Sequence, residues 1–173
     1  PQVFGVGFDT IERMLQGELG TALLAGLLLA KLLATSLCLG SGGSGGVFAP
    51  LLFLGAVLGG GFGNLVHELM PSITALPGAY ALVGMAAVFS GAARAPMTAV
   101  LIIFEMTQDY RIILPLMFTT VVSTLLAGRF YKESVYTLKL VRRGVNVGQR
   151  KEQNFMRYIP VESAMTPFSQ LTT

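Results

Sequence analysis

An all-α, polytopic membrane fold is what this chain predicts, and three observations carry the prediction. Of its 173 residues, 53% are apolar and only 12% are charged, with a mean hydropathy of +0.66, beyond the range of an ordinary soluble domain. Four apolar regions follow one another, several near the ~20 residues a helix needs to cross a bilayer. Between the first two runs Gly40-Ser-Gly-Gly-Ser-Gly-Gly-Val-Phe-Ala-Pro50. Hydrocarbon cannot satisfy the N–H and C=O groups of irregular backbone, so such a break must line a polar cavity or bind something.

The first apolar region, Leu19 to Leu39, is long enough to span. Its Ala22, Gly26, Ala30 and Ala34 recur every four residues, a small-residue stripe read as the packing face for another helix. Lys31 is the lone charge there and either snorkels or faces a protein interior. Cys38, the single cysteine, excludes an intrachain disulfide and reads as a packed thiol.

Val47 to Val66 forms the second region. Gly55, Gly59 and Gly63 fall at i, i+4 and i+8. In a soluble helix each would cost about 1 kcal/mol relative to alanine, whereas in a membrane bundle they let backbones touch. Pro50 lies in the first turn, where its missing N–H costs little. Asn64, His67 and Glu68 mark the exit to water, and His67 has no partners at metal-ligand spacing. Pro71 to Gly78 reads as a connector.

Ala79 to Met106 is apolar but interrupted by Ser90-Gly-Ala-Ala-Arg-Ala-Pro96. Each piece is too short to span, the sequence pointer to discontinuous helices in transporters. Arg94 and Glu105 in this zone could line an ion path. Their place at segment ends favours capping, with Glu105 held by backbone donors or by the Thr107-Gln-Asp turn. The fourth region runs from Ile112 to about Tyr131, with Pro115 in its first turn. Lys132 to Gly144 then reads as a short amphipathic helix, ending in basic residues and glycine. Tyr136 near its start either reaches toward a cavity or packs at the interface.

A glycine loop feeding a helix start offers convergent N–H donors at the positive end of a helix dipole, which is an anion site built from backbone. No Lys or Arg lies between Lys31 and Arg94, so the loop supplies partial charges only. Permeation requires binding strong enough to offset dehydration and weak enough to release. A monovalent, weakly hydrated anion such as chloride suits that demand, while phosphate calls for arginine or lysine. Gly40 to Gly45 also satisfies G-x-G-x-x-G, so a soluble dinucleotide-binding enzyme is the rival reading. It needs a strand before the loop and an amphipathic helix after it. The Ala- and Leu-rich run before the loop and the polar-free run after it argue against that.

From Arg129 onward the chain carries eight of its twelve basic residues and three of its nine acids. The positive-inside rule puts that tail in the cytoplasm. A nucleic-acid patch is disfavoured, since no aromatic-interleaved basic face accompanies the charge. The opening Pro1 to Gly5 lacks the basic region of a signal peptide, and the absence of a starting methionine, with a new motif beginning near the end, reads as a fragment.

The motifs resemble one family. Gly46-Val-Phe-Ala-Pro50 looks like the G-x-F-x-P element of the CLC chloride channels and proton/chloride antiporters. Ser90-Gly-Ala-Ala-Arg-Ala-Pro-Met-Thr98, Phe104-Glu-Met-Thr107, Asp109-Tyr-Arg-Ile-Ile-Leu-Pro115 and Glu133-Ser-Val-Tyr-Thr-Leu-Lys-Leu140 are similar to the same family, in family order. The resemblance covers roughly Leu19 to Gly144. It implies a voltage-gated-type chloride channel or proton/chloride antiporter, not an enzyme, with no cofactor, no metal and no catalytic residue. Chloride would bind the amides of Val47 and Phe48, within the selectivity-filter motif Gly46, Val47, Phe48, Ala49 and Pro50, and the hydroxyl of Tyr136. Helices 95–106 and 112–130 would form a homodimer interface.

The resemblance further implies that residues 1–144 are the second inverted-repeat half of the membrane domain, with discontinuous and tilted helices. Residues 145–157 would be a cytoplasmic basic linker. Tyr158 to Pro167 looks like the entry to a cystathionine-β-synthase-type domain, truncated within 158–173. The gating glutamate belongs to the first half, and no G-x-E-x-P occurs here. Alone, the chain is expected to transport nothing. The expected location is a bacterial inner membrane with the C-terminus in the cytoplasm.

Overall fold

The computed structural model describes residues 7–17, 19–41 and 46–142. Seven α-helices follow in chain order among them: α1 Phe8–Leu15, α2 Thr21–Gly40, α3 Phe48–Leu69, α4 Pro77–Ala93, α5 Pro96–Thr107, α6 Ile113–Phe130 and α7 Val135–Arg142, with a 3-10 turn at Tyr110–Ile112 before α6. No strand occurs among the described residues, in line with the all-α expectation. Three stretches among them are long and apolar enough to cross a membrane: α2 at mean hydropathy 2.1, α3 at 1.6, and Tyr110–Leu138, which contains α6, at 1.6. The helices α4 and α5 are apolar but shorter.

The chain divides into two compact units, Pro1–Val135 and Tyr136–Thr173. In the first, the core is built where α1, α2 and α3 meet α4, α5 and α6. Phe53, Ala56, Met85, Ala86 and Leu116 are fully enclosed there. The second unit begins within α7, at Tyr136, and its residues 143–173 lie outside the described residues, as do the expected linker and cystathionine-β-synthase-type start.

The tightest seam joins α3 to α4. A Cβ at Gly55 would stand 2.5 Å from the Gly84 carbonyl oxygen and 2.6 Å from Met85 Cα. One at Gly59 would run into the Tyr80 carbonyl, and one at Gly63 would lie 2.8 Å from Tyr80 Cβ. The four-residue glycine repeat is thus a contact surface, as its spacing predicts.

The stripe on α2 is different. Ala22, Gly26, Ala30 and Ala34 are exposed, and nothing approaches Gly26 within 4 Å. Instead α2 buries Leu24, Leu27 and Lys31. On α3, Gly61 lies beside Leu24, where a Cβ would stand in ordinary contact, 4.0 Å from Leu24 Cδ1. The face of α2 that meets α3 is thus the one with large side chains, not the small-residue stripe. Cys38 is likewise exposed on α2 rather than packed.

Lys31 takes the interior position. It is 4% exposed, with Nζ 5.0 Å from the Phe53 ring centroid, a cation–π arrangement. The helix α1, which the sequence reading did not anticipate, closes this corner through Ile11 and Met14. Its N-cap Gly7 has φ 83°, and a Cβ there would stand 2.8 Å from the Phe53 ring. Only glycine meets both demands.

Two boundaries shift. Pro77 and Gly78 belong to the first turn of α4, where proline's fixed φ suits a helix start. The last helix begins at Val135, not Lys132, directly after Ser134, a residue type favoured before a first turn.

Candidate functional site

The α3 N-terminus is open. Val47 is its N-cap with φ −88° and ψ −19°, and no described side chain caps it. The first bond of the helix runs from the Leu51 amide to the Val47 carbonyl at 3.1 Å. The amides of Val47, Phe48 and Ala49 come before that bond, and Pro50 has no N–H. The first turn of a helix carries unpaired donors and the positive end of the macrodipole, so this terminus can receive an anion without a formal positive charge.

Phe48 is held beside it. Its ring meets Phe89 of α4 edge to face, with centroids 5.1 Å apart and planes at 77°. Phe89 is buried, while Phe48 remains partly exposed. This pair ties the first turn of α3 to α4. Sequence reasoning missed Phe89, whose partner only the packing identifies. The structure therefore brings together Gly46, Val47, Phe48, Ala49 and Pro50. Tyr136 stands on the first turn of α7 and belongs to the second unit.

The dinucleotide reading fails on its flanks. The residues before the loop form the helix α2, which runs through Gly40, with Ser41 as its C-cap. A dinucleotide fingerprint needs a strand there. Residues 42–45 of the loop lie outside the described residues.

The break between α4 and α5 falls at Arg94 and Ala95, so Ser90 to Ala93 stay helical. Arg94 adopts φ 60°, ψ 37° at the C-cap of α4. Its Nη2 donates to the Ala127 carbonyl at 2.8 Å and to the Tyr131 carbonyl. Arg94 is a cap, as its place at a segment end predicts: its backbone amide closes α4 on the Ser90 carbonyl at 3.0 Å, while its side chain caps α6. Cations at a helix C-terminus satisfy orphan carbonyls and complement the dipole.

Glu105 departs from expectation. It is exposed on α5, and the neighbouring Thr107 Oγ1 donates to the Ile103 carbonyl at 2.9 Å. Asp109 Oδ1 accepts from the Arg111 amide at 2.9 Å, capping the 3-10 turn. At the far end of α3, Glu68 is exposed. Asn64 Nδ2 donates to the Leu19 carbonyl at 3.0 Å, so it ties α3 to the entry of α2 instead of facing water. The His67 Nδ1 atom pairs with Thr74 Oγ1 at 3.0 Å.

The sequence reading also overlooked a set of hydroxyls between α4 and α6. Ser123 Oγ donates to the Ala87 carbonyl at 2.6 Å. Thr124 Oγ1 reaches the Ser90 carbonyl at 3.4 Å. Fully buried Ser90 donates to the Ala87 carbonyl at 3.0 Å and lies 3.4 Å from the Thr120 carbonyl. The signal was Thr120, Ser123 and Thr124 at i, i+3 and i+4, one polar face on an otherwise apolar helix. By contrast, Leu101 of α5 and Leu114, Phe118, Leu125 and Phe130 of α6 are strongly exposed.

Comparison with known proteins agrees with these motifs. The family profile described as voltage gated chloride channel matches residues 1–128, which carries the likeness upstream of Leu19. The chain is 36% identical over 154 residues to the H(+)/Cl(-) exchange transporter ClcA of Vibrio campbellii, covering 89% of this chain and 33% of that protein. With the protein of the same name from Vibrio parahaemolyticus it shares 34% over 154 residues, covering 89% and 33%. With that of Vibrio cholerae it shares 36% over 142 residues, covering 82% and 30%. The chain therefore spans about a third of the length of these curated relatives. Its apolar helices and these likenesses make it an integral membrane protein. A family match over 128 of its 173 residues, a span that includes the helix start at Gly46 to Pro50 and the helix break at Arg94, places this chain in the voltage gated chloride channel (CLC) family.

Proposed function

We propose that this chain contributes half of a chloride pathway and that the remainder comes from a first half of the membrane domain. The observation that carries the reading is the start of α3, which no side chain among the described residues caps and which offers the amides of Val47 and Phe48 beside an aromatic side chain. Chloride binds there through backbone donors, and the Tyr136 hydroxyl completes the central site. No covalent chemistry is involved. The relatives bear the name of an exchanger, which favours proton-coupled exchange over a passive channel. Residues 1–144 act as the second inverted-repeat half, 145–157 as a basic linker, and 158–173 as the start of a cystathionine-β-synthase-type domain.

The exposed apolar faces of α5 and α6 support a homodimer through helices 95–106 and 112–130. The basic excess after Arg129 supports a cytoplasmic C-terminus in a bacterial inner membrane. The decisive experiment is chloride titration calorimetry on the complete transporter with Tyr136→Phe. Loss of one hydroxyl donor should weaken binding by about 0.5–1.5 kcal/mol. Unchanged affinity would remove Tyr136 from the site. In liposomes, the complete protein should move chloride with counter-flow of protons, and the 173-residue chain alone should not exceed background leak.

A further inference from the structure

Helices α3 and α4 run antiparallel, and their contacts keep one register. A Cβ at Gly59 would meet the Tyr80 carbonyl, and one at Gly55 the Gly84 carbonyl. Further along the same seam, Phe48 meets Phe89 edge to face. The glycine contacts are backbone to backbone, so they fix how far apart the two helices stand where the rings meet. Phe89 is rigidly based: it is 4% exposed, and the next residue, Ser90, is fully enclosed and lies 3.4 Å from the Thr120 carbonyl of α6. Phe48 is 37% exposed, so Phe89 backs one part of its ring and leaves the rest open.

The Cα–Cβ bond of a helical residue tilts toward the helix N-terminus. Phe48 is the first residue of α3, and its ring therefore stands beside the open amides. An edge-to-face pair is held by the ring quadrupoles, which ties the orientation of one ring to the other and is worth about a two- to tenfold bias in an equilibrium. We infer that Phe89 is a positioning residue that sets anion selectivity: it holds the Phe48 ring at the start of α3, where the ring takes the place of water around a bound anion. This rests on the α3 start being the chloride site. An ion that meets a ring on one side cannot keep its water there, and the most strongly hydrated ions lose most by it. Phe89 touches no anion and acts through Phe48. Without its partner the Phe48 side chain turns among its rotamers, and water enters beside the amides. The preference for weakly hydrated anions then falls with the fraction of time the ring is away.

The test is calorimetry with chloride and with thiocyanate, a more weakly hydrated anion, on the complete transporter. Phe89→Leu and Phe89→Met are each compared in the native and the Phe48→Leu backgrounds. Leucine removes the ring. Methionine offers a flexible chain whose sulfur still contacts an aromatic ring, and it carries the test if the leucine variant does not assemble. Phe89→Leu should lower the ratio of thiocyanate to chloride affinity about threefold, as when the held ring falls to about a third of the population. Phe89→Met should lower it less, and neither should change it once Phe48 is leucine. A lowered melting temperature with an unchanged ratio would make Phe89 merely structural and overturn the proposal. A raised ratio would show that the smaller side chain had only enlarged the site, and equal effects in both backgrounds would show that Phe89 acts elsewhere. The underlying site is tested separately, by the amide resonance of Phe48 in protein carrying isotope-labelled phenylalanine, identified by its loss in Phe48→Leu. A resonance that chloride does not move would overturn the α3 site and this inference together; one that moves keeps the site whatever Phe89 does.

Discussion

Toward α3, helix α4 presents Gly84 and the backbone of Tyr80, and Gly55 and Gly59 come so close that no Cβ fits between. Toward α6, the same helix presents Ser90 and Gly91, with Arg94 at its C-cap. A Cβ at Gly91 would stand 2.7 Å from Ser123 Oγ, so this seam is close-packed against a side chain and carries hydroxyl and guanidinium bonds to carbonyls. Lipid tails are as apolar as leucine, so burying leucine between helices gains little in a bilayer. The two seams are the two remaining ways to hold a helix: dense backbone contact and interhelical hydrogen bonds. They differ in tolerance. A backbone contact has no flexible end that can give way, whereas a hydroxyl bond can be lost and its carbonyl still serves its own helix.

Gly59→Ala attacks the less tolerant seam and should have the largest effect. Its new methyl collides with the Tyr80 carbonyl, and the expected loss is about 2–3 kcal/mol, the upper part of the range for overpacked sites. Denaturation in detergent micelles measures it, and a stability within about 0.5 kcal/mol of the native protein would mean that the seam can spread at no cost. Ser123→Ala removes the 2.6 Å bond to Ala87 and should cost about 0.6 kcal/mol, the average for membrane hydrogen bonds. A loss above about 2 kcal/mol would exceed the most such bonds have cost, and one larger than that of Gly59→Ala would reverse the ranking of the two seams.

Gly26→Ala on α2 sharpens the comparison from the other side. Nothing stands within 4 Å of a Cβ there, so helix propensity alone should make the change neutral or stabilising by up to about 1 kcal/mol. A clear loss in the complete transporter, measured in the same melts, would show that another helix covers the small-residue stripe.

Much of the architecture was legible locally. The glycine repeat at Gly55, Gly59 and Gly63 marked the α3 seam, because only a contact with another backbone justifies three costly residues on one face. The prolines at 50, 77, 96 and 115 stand within helix first turns, where a missing N–H is harmless. The start of α3 as an anion-receiving terminus was readable from Gly46 to Pro50. Less legible was the short helix α1, whose Phe8, Ile11 and Met14 spacing is brief enough to pass for a loop. The stripe on α2 misled, since spacing reveals which residues share a face and not which face a neighbour will take. Arg94 was placed at a helix end by its position, yet the helix its side chain caps lies 33 positions further along the chain.

Periodicity, breakers and composition, which act over one or two helical turns, determined by themselves that this chain is a set of apolar helices with an opened helix start and a broken third region. Which faces meet was decided only in three dimensions. Helix α2 turned Leu24, Leu27 and Lys31 inward instead of its small-residue stripe, Phe89 took the ring of Phe48, and the Arg94 side chain crossed to α6. Each of those choices depends on the shape and unpaired groups of a distant segment, and no local signal encodes them.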